Sequence, residues 1–484
     1  MLFNSYIFLL LFLPLCLTGY FGLNRFKHYK MAQLFLLGMS LWFYGYFNVS
    51  YLWIILSSIV INYLINRLFF RIENGLLRKA VLIFAMTANI GILFYFKYFD
   101  FFMVNVSAVI GRDYTLKNIL LPLGISFFTF QQLSYVIDCY RKEVPDYDFL
   151  QYASFVVYFP QLIAGPIVTH DELVPQFMDL EKKTVNWDNM AQGLYMFALG
   201  LGKKVLIADV FGNCANWAFA NILQLDSTNA LIGMLAYTVQ IYFDFSGYCD
   251  MAIGIGKMMN IDLPLNFNSP YKAVTIADFW SRWHMTLTRF FTKYVYIPLG
   301  GSRKGNLRTY INTLAVFLIS GIWHGANWTF ILWGVLHGIA LVIYKAFRNS
   351  IDKMPRAVNW LITFVFVNVT WVLFRADSVA DAAEFLRRVF SFDFGPISTG
   401  IYAGFERIEL AYVLSQMPFS YYTSSILLTG YFLVAMGLAM LSPNAYEKMC
   451  RFVPTFLRMA AAAFIILWSV FSFSGVSTFL YFNF

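Results

Sequence analysis

A lone imidazole stands in a stretch otherwise apolar enough for lipid. Trp323-His324-Gly325-Ala326-Asn327-Trp328 is preceded by Leu314-Ala315-Val316-Phe317-Leu318-Ile319 and followed by Phe330-Ile331-Leu332-Trp333-Gly334-Val335-Leu336. An ionisable group in such surroundings is costly and marks a functional position by default. Histidine is also the side chain best placed to trade protons near neutral pH. As a general base, neutral His324 takes the proton of an attacking hydroxyl while an acyl carbonyl is polarised beside it. Asn327, expected one helical turn on, is placed to orient the imidazole or the acyl oxygen. A histidine hydrogen-bonded between helices fits the same residues, and composition leaves both readings open. His337 follows in Leu336-His337-Gly338. On one unbroken helix it lies roughly 20 Å along the axis and on another face. The pair is then neither a metal site nor an HExxH-type motif, and His337 is expected to bridge helices. Breaks at Gly325 and Gly334 would let the two approach.

Two further groupings bear on chemistry. Phe279-Trp280-Ser281-Arg282-Trp283-His284 brings a guanidinium, a second imidazole and two indoles together, with Arg289, Lys293, Arg303, Lys304 and Arg308 downstream. Such cations can hold the phosphates of a coenzyme A thioester. They equally suit anchoring against anionic lipid. Tyr242-Phe243-Asp244-Phe245-Ser246-Gly247-Tyr248-Cys249-Asp250 places two carboxylates in or beside an apolar run. Ser246, Asp250 and Gly254 share a helical stripe suited to close packing. Asp244 and Asp250 could form a proton or ion path, or neutralise Arg282 or Lys257; structural pairing is the expectation. Lys203-Lys204 after Gly200-Leu201-Gly202 is no phosphate-binding loop, because Phe197 replaces the first glycine and Lys204 the hydroxyl residue.

The elements that must position these groups are membrane helices. Of 484 residues, 60% are hydrophobic, 20% aromatic and 13% charged. The charged share is about half the roughly 25% of soluble domains. Apolar runs recur throughout, so the chain reads as one polytopic membrane domain, residues 1–484, with all-α architecture. The net charge of +9 sits mostly in short segments between apolar runs, which points to cytoplasmic loops and not to nucleic acid. Cys16, Cys139, Cys214, Cys249 and Cys450 form no CxxC pair, so no disulfide or metal site is expected. The N-terminus lacks the basic region and cleavage site of a secretory signal, and 3–23 reads as a retained first span.

Further spans are expected near 31–47, 50–70, 78–98, 117–138, 150–169, 190–211 and 230–256, then near 308–322, 326–346, 357–375, 423–441 and 458–479. Some are re-entrant or interfacial, which leaves roughly ten to thirteen. Arg25, Lys27 and Lys30, then Arg67, Arg71, Arg78 and Lys79, mark cytoplasmic loops and put the N-terminus outside. Residues 260–306 are too polar for a free helix in lipid and are expected in a protein-lined re-entrant or interfacial segment. Residues 308–346 carry the histidine region, and 376–422 form a second interfacial segment whose 380–390 part reads as an amphipathic surface helix.

Several separated motifs occur in order: Phe159-Pro160-Gln161-Leu162-Ile163-Ala164-Gly165-Pro166-Ile167, the stretch from Tyr242 to Asp250, Asp278 to His284, Tyr296-Ile297-Pro298-Leu299-Gly300-Gly301, Trp323-His324-Gly325, Leu336-His337-Gly338 and Phe479-Leu480-Tyr481-Phe482. Together they resemble the membrane-bound O-acyltransferase (MBOAT) family, and within it the alginate O-acetyltransferase subgroup. The resemblance implies a multi-helix fold around a central funnel, in a bacterial cytoplasmic membrane. It implies His324 as the catalytic histidine, with His284, Asn327, Trp323, Asp244, Asp250 and Trp283 as support or funnel lining. It implies acetyl-CoA as donor, no bound cofactor and no metal, with Arg282, Arg289, Lys293, Arg303 and Lys304 toward the donor. The acceptor would be an exported, alginate-like polysaccharide, reached through an extracytoplasmic partner with an SGNH, serine-esterase-like site. Peptidoglycan O-acetylation and D-alanylation of teichoic acid from a carrier protein are alternatives on the same fold. A proton-coupled transporter using Asp244, Asp250 and the histidines is a rival of another class, and acylation of a lipid is a further one. In one place the chain departs from the family, with Thr292-Lys293 where relatives commonly carry Arg-Asp.

Overall fold

The computed structural model describes residues 1–418, 420–473 and 479–480. Helices and turns account for all regular structure among the described residues. Among the described residues, six helices are long and apolar enough to cross a bilayer: Phe8–Arg25, Ser50–Phe69, Gly75–Ile110, Trp328–Ala346, Arg356–Arg375 and Ser420–Met440. Tyr29–Gly45, Ile125–Arg141, Trp187–Gly202, Ser227–Met258, Gly305–His324 and Phe456–Phe471 fall at the other expected positions.

The expected spans differ from the observed helices in instructive ways. Residues 150–169 do not form one span. They split into Phe149–Val157 and the one-turn Phe159–Leu162, then run on without helix to His170. Pro160 and Pro166 interrupt the ladder, and the chain turns so tightly that a Cβ on Gly165 would lie 2.5 Å from Gln161 Cα. This segment is buried in the protein, where irregular backbone is tolerated at membrane depth. The 78–98 run is longer than expected, continuing through a π-helical turn, Phe94–Tyr98, to Ile110. The run near 117–138 begins as helix only at Ile125, after the left-handed Gly124. The last expected span ends at Phe471, and Tyr481 and Phe482 of the C-terminal motif lie outside the described residues.

Among the described residues, four π-helical turns interrupt the helices, and three of them carry lysines: Lys97 in Phe94–Tyr98, Lys203 and Lys204 in Lys203–Ala208, and Lys293 in Thr292–Tyr296. An extra residue in one turn re-aims the side chains that follow, and such bulges concentrate at functional places. The core is a close pairing of Trp187–Gly202 with Ser227–Met258. A Cβ on Gly193 would lie 2.5 Å from the Gly254 carbonyl oxygen, and one on Gly247 would lie 2.8 Å from that of Gly200. Small residues at matching positions let the two backbones touch, as packing in lipid requires.

Residues 260–306 form a folded-in segment with the short helices Ile276–Arg282 and Met285–Phe291. The amphipathic helix of the second polar segment is Val379–Val389. Its apolar face covers protein, with Phe385 stacked on Phe219 at 4.3 Å. That face is therefore not free to lie on lipid, contrary to the sequence expectation.

Candidate active site

Gly305–His324 ends on the histidine because Gly325 is extended (φ −165°). Asn327 then caps the following helix, Trp328–Ala346, by accepting from the Thr329 N–H at 3.1 Å. Its amide N–H donates to the Asp377 carbonyl at 2.7 Å. Asn327 is therefore a cap between two helices and not a neighbour of His324 on one turn, which removes the orienting role expected of it.

The C-terminal carbonyls of a helix lack partners within it. Here Lys97 and Tyr98 provide them. Lys97 Nζ donates to the carbonyls of Trp323 (2.7 Å) and His324 (3.1 Å), and Tyr98 Oη to that of Ile322 (2.9 Å). A cation at this end also complements the helix dipole. Sequence reasoning passed over Lys97, although a lysine inside Phe94-Tyr95-Phe96-Lys97-Tyr98-Phe99 is the same signal that singled out His324.

The His324 ring is 3% exposed. It stands edge-on to Trp333 and Phe374, each with centroids 5.1 Å away, and Trp323 is 4.9 Å away. His284 also lies beside Trp323, 6.4 Å from that indole. Two of the three histidines named from sequence are thus brought to one tryptophan.

His284 holds a left-handed backbone (φ +45°), uncommon for a non-glycine residue and typical of functional positions. Its ring is positioned by Asn266. The Asn266 amide oxygen pairs with His284 Nδ1 at 3.1 Å and accepts from Thr286 Oγ1 at 2.9 Å. Asn266 Nδ2 donates to Cys249 Sγ at 3.3 Å. An acceptor oxygen facing Nδ1 puts the ring proton there and makes Nε2 the acceptor. Trp283 packs between Phe279 (5.6 Å) and Trp371 (4.9 Å), part of the same aromatic wall.

His337 bridges helices, as expected. Trp280 Nε1 donates to its Nδ1 at 3.2 Å, so its Nε2–H faces Thr370 Oγ1 at 3.0 Å. Gly325 does break the helix, and His324 and His337 consequently flank the same Trp333, which is 4.9 Å from His337.

The intramembrane carboxylates are paired, but not with Arg282 or Lys257. Lys204 Nζ lies 2.6 Å from Asp244 and 2.8 Å from Asp209. Lys203 Nζ lies 2.6 Å from Asp250. Asp244 also accepts the Leu480 N–H at 2.9 Å. The two lysines set aside as a failed phosphate loop are the missing counter-charges, aimed by their π-helical turn.

The downstream cations are engaged as well. Arg282 pairs with Asp278 at 2.6 Å and Arg289 with Glu172 at 2.5 Å. Lys293 reaches Asp138 at 3.0 Å, where Tyr294 Oη also donates at 2.7 Å. The family departure at Thr292-Lys293 therefore has a local answer: the added ammonium meets a buried carboxylate. Arg303 and Lys304 are exposed on the turn before Gly305–His324.

Two cavities are lined by residues of the elements that carry this aromatic box. One of about 300 Å³ has Ser302 and Lys345 in its wall, together with Ser320, one turn before His324 on the same helix. Another, of about 370 Å³, is lined by Arg375, Asp377 and Asp381, directly after Phe374 of the aromatic box. No group of three metal-ligating side chains occurs among the described residues.

Comparison with known proteins gives this arrangement a family. The model of the MBOAT, membrane-bound O-acyltransferase family matches residues 123–378, which include His284, His324 and His337. The chain is 44% identical to the peptidoglycan O-acetyltransferase of Helicobacter pylori over 417 residues, 80% of this chain and 79% of that one. It is 39% identical to the probable alginate O-acetylase AlgI of Pseudomonas aeruginosa over 434 residues, 86% of this chain and 80% of that one. A teichoic acid D-alanyltransferase of Streptococcus thermophilus is 25% identical over 303 residues, 56% and 72% of the two chains. The chain belongs to the membrane-bound O-acyltransferase family and is a multi-pass membrane O-acyltransferase.

Proposed function

We propose that this enzyme takes an acetyl group from cytoplasmic acetyl-CoA and delivers it across the membrane for O-acetylation of an exported glycan, with His324 as catalytic base. The burial of His324 in an aromatic box at the end of a membrane helix carries this reading. The 300 Å³ cavity lies beside the exposed basic turn with Arg303 and Lys304, the side that loop charge marks as cytoplasmic. That leaves the 370 Å³ cavity on the outer side, consistent with an N-terminus outside. Peptidoglycan and alginate, named for the relatives at 44% and 39% identity, share a sugar hydroxyl as acceptor group.

The chemistry follows from the residues. His324 removes the proton of the acceptor hydroxyl as its oxygen attacks the thioester carbonyl. The new C–O ester bond forms, the C–S bond breaks, and the coenzyme A thiolate leaves with the proton. His284, fixed by Asn266, orients the aromatic wall and the reacting groups beside Trp323. Trp323, Trp333 and Phe374 exclude water from the imidazole, and rotation of these rings admits substrates from the two cavities. The hydroxyl belongs either to the glycan or to the serine of a secreted esterase-like partner that hands the acetyl group on.

The test uses purified protein in lipid vesicles with acetyl-labelled acetyl-CoA. Label is expected on glycan, or on a serine of the partner, only when the protein is present. Label that stays on coenzyme A, with transfer seen only from an aminoacyl carrier protein, would replace the donor in this scheme.

A further inference from the structure

A cleft of about 570 Å³ lies away from the histidines, wedged between the core helix pair and the two C-terminal helices, Ser420–Met440 and Phe456–Phe471. Its volume falls within the range of ligand pockets, roughly 300–1,000 Å³. Leu206, Leu427, Val434, Leu438 and Ile465 make its wall apolar, and one end is cationic. Lys203 and Lys448 lie in that end, with Ser442, whose carbonyl accepts from Lys272 Nζ at 2.8 Å.

The three ammonium groups differ in how they are answered. Lys203 has Asp250 at 2.6 Å. Lys272 has only a carbonyl, and Lys448 has no hydrogen-bond or ion-pair partner for its side chain among the described residues. The nearest carboxylate in sequence, Glu447, accepts from Asn444 at 2.9 Å. Burial holds the Lys448 ammonium below its ordinary range, and Lys203 and Lys272 lower it further by repulsion. Arg451 follows in the connecting segment, and Arg458, in the first turn of Phe456–Phe471, donates to the Arg451 carbonyl at 3.2 Å. An apolar trough that ends in crowded cations complements one kind of membrane component. Basic pockets between membrane helices on the cytoplasmic side recruit anionic headgroups.

We propose that this cleft is a binding site for an anionic diacyl phospholipid, with acyl chain against Leu438 and Ile465 and phosphate between Lys448 and Lys272. The site is distinct from the acyl-transfer centre. It touches that centre through Tyr242, which lies in the cleft wall and stands 6.4 Å from Trp283.

Native mass spectrometry of the full chain, released from vesicles of equimolar phosphatidylglycerol and phosphatidylcholine, tests the proposal. Wild-type protein is expected to retain phosphatidylglycerol in preference. Lys448→Gln should cut that preference about fivefold, the effect of one cation at a membrane surface. Leu438→Trp, which fills the trough without touching charge, should lower retention of both lipids. Equal retention of the two lipids by wild-type protein overturns the headgroup assignment. Retention unchanged by Leu438→Trp overturns the cleft as the seat, even if Lys448→Gln has its effect.

Discussion

Two of the polar regions buried in this membrane protein are built on opposite principles. Where Asp244 and Asp250 enter the core, each finds an ammonium 2.6 Å away, on Lys204 and Lys203 respectively. Around His284 and His324 the surroundings are an amide, a hydroxyl, backbone carbonyls and aromatic edges. Charge answered by charge is fixed, because separating such a pair strands an ion in a low-dielectric medium. An imidazole among aromatic rings stays neutral and can take up a proton when a substrate supplies one. The carboxylates that suggested an ion relay are thus paired with lysines of a neighbouring element, and the chemistry proposed above is assigned to the histidine region.

The largest expected effect is on turnover. His324→Ala should lower acetyl transfer by about 10²–10⁴-fold, the usual contribution of a general base, while the protein elutes as wild type and unfolds at a similar temperature. Near-normal transfer by this variant would dissolve the contrast. The second effect is on stability. Lys204→Met leaves Asp244 buried beside an apolar chain and should cost about 3–5 kcal/mol, read as a lower unfolding temperature in detergent. Adding Asp244→Leu should restore most of it, since it removes the buried carboxylate and leaves Asp209, which is partly exposed, as the group that lost the lysine. If the double variant stays as unstable as the single, the pair is doing more than neutralising itself.

A third test lies between the two regions. Lys97 is an ion like those of the first region but serves the second, by holding the last carbonyls of Gly305–His324. Lys97→Met should cost about 1.5–3 kcal/mol, the scale of charge-assisted hydrogen bonds. It should also lower turnover by loosening His324, with Lys97→Arg recovering part of both. Stability lost with turnover intact would restrict Lys97 to a cap.

Much of this was legible in the residues, and the misses share a cause. Apolar runs near twenty residues fixed most helices, and polar groups inside them marked His324, Asp244 and Asp250. Sequence could not supply partners, because they come from distant elements: Lys204 for Asp244, Asn266 for His284, Asp138 for Lys293. Asn327 was misjudged because a periodic reading continued the helix through Gly325, where the chain is extended and a cap was needed. The 150–169 segment read as a span because its side chains are apolar, but apolar composition suits a buried irregular segment as well as a lipid-facing helix. Lys97 was visible on the same grounds as His324 and was overlooked.

The smallest effect concerns charges answered in water. Asp262, exposed beyond the end of Ser227–Met258, accepts from both Lys182 and Lys257 at 2.9 Å. Partial burial alone would raise its pKa, but the two lysines outweigh it and hold the carboxyl below its usual range. A depressed carboxylate contributes stability that is present above the unfolded value, near 3.9, and lost as pH falls through the folded value. Asp262→Asn should therefore flatten the acid limb of the unfolding curve below about pH 4 and lower stability near neutrality by a small offset, the contribution the carboxylate makes there. The offset should be far below that of Lys204→Met, because exposed pairs are screened by solvent. An acid limb that keeps its slope in Asp262→Asn would mean that other carboxylates govern it. An offset as large as that of Lys204→Met would mean that burial is not what separates the strong pairs from the weak.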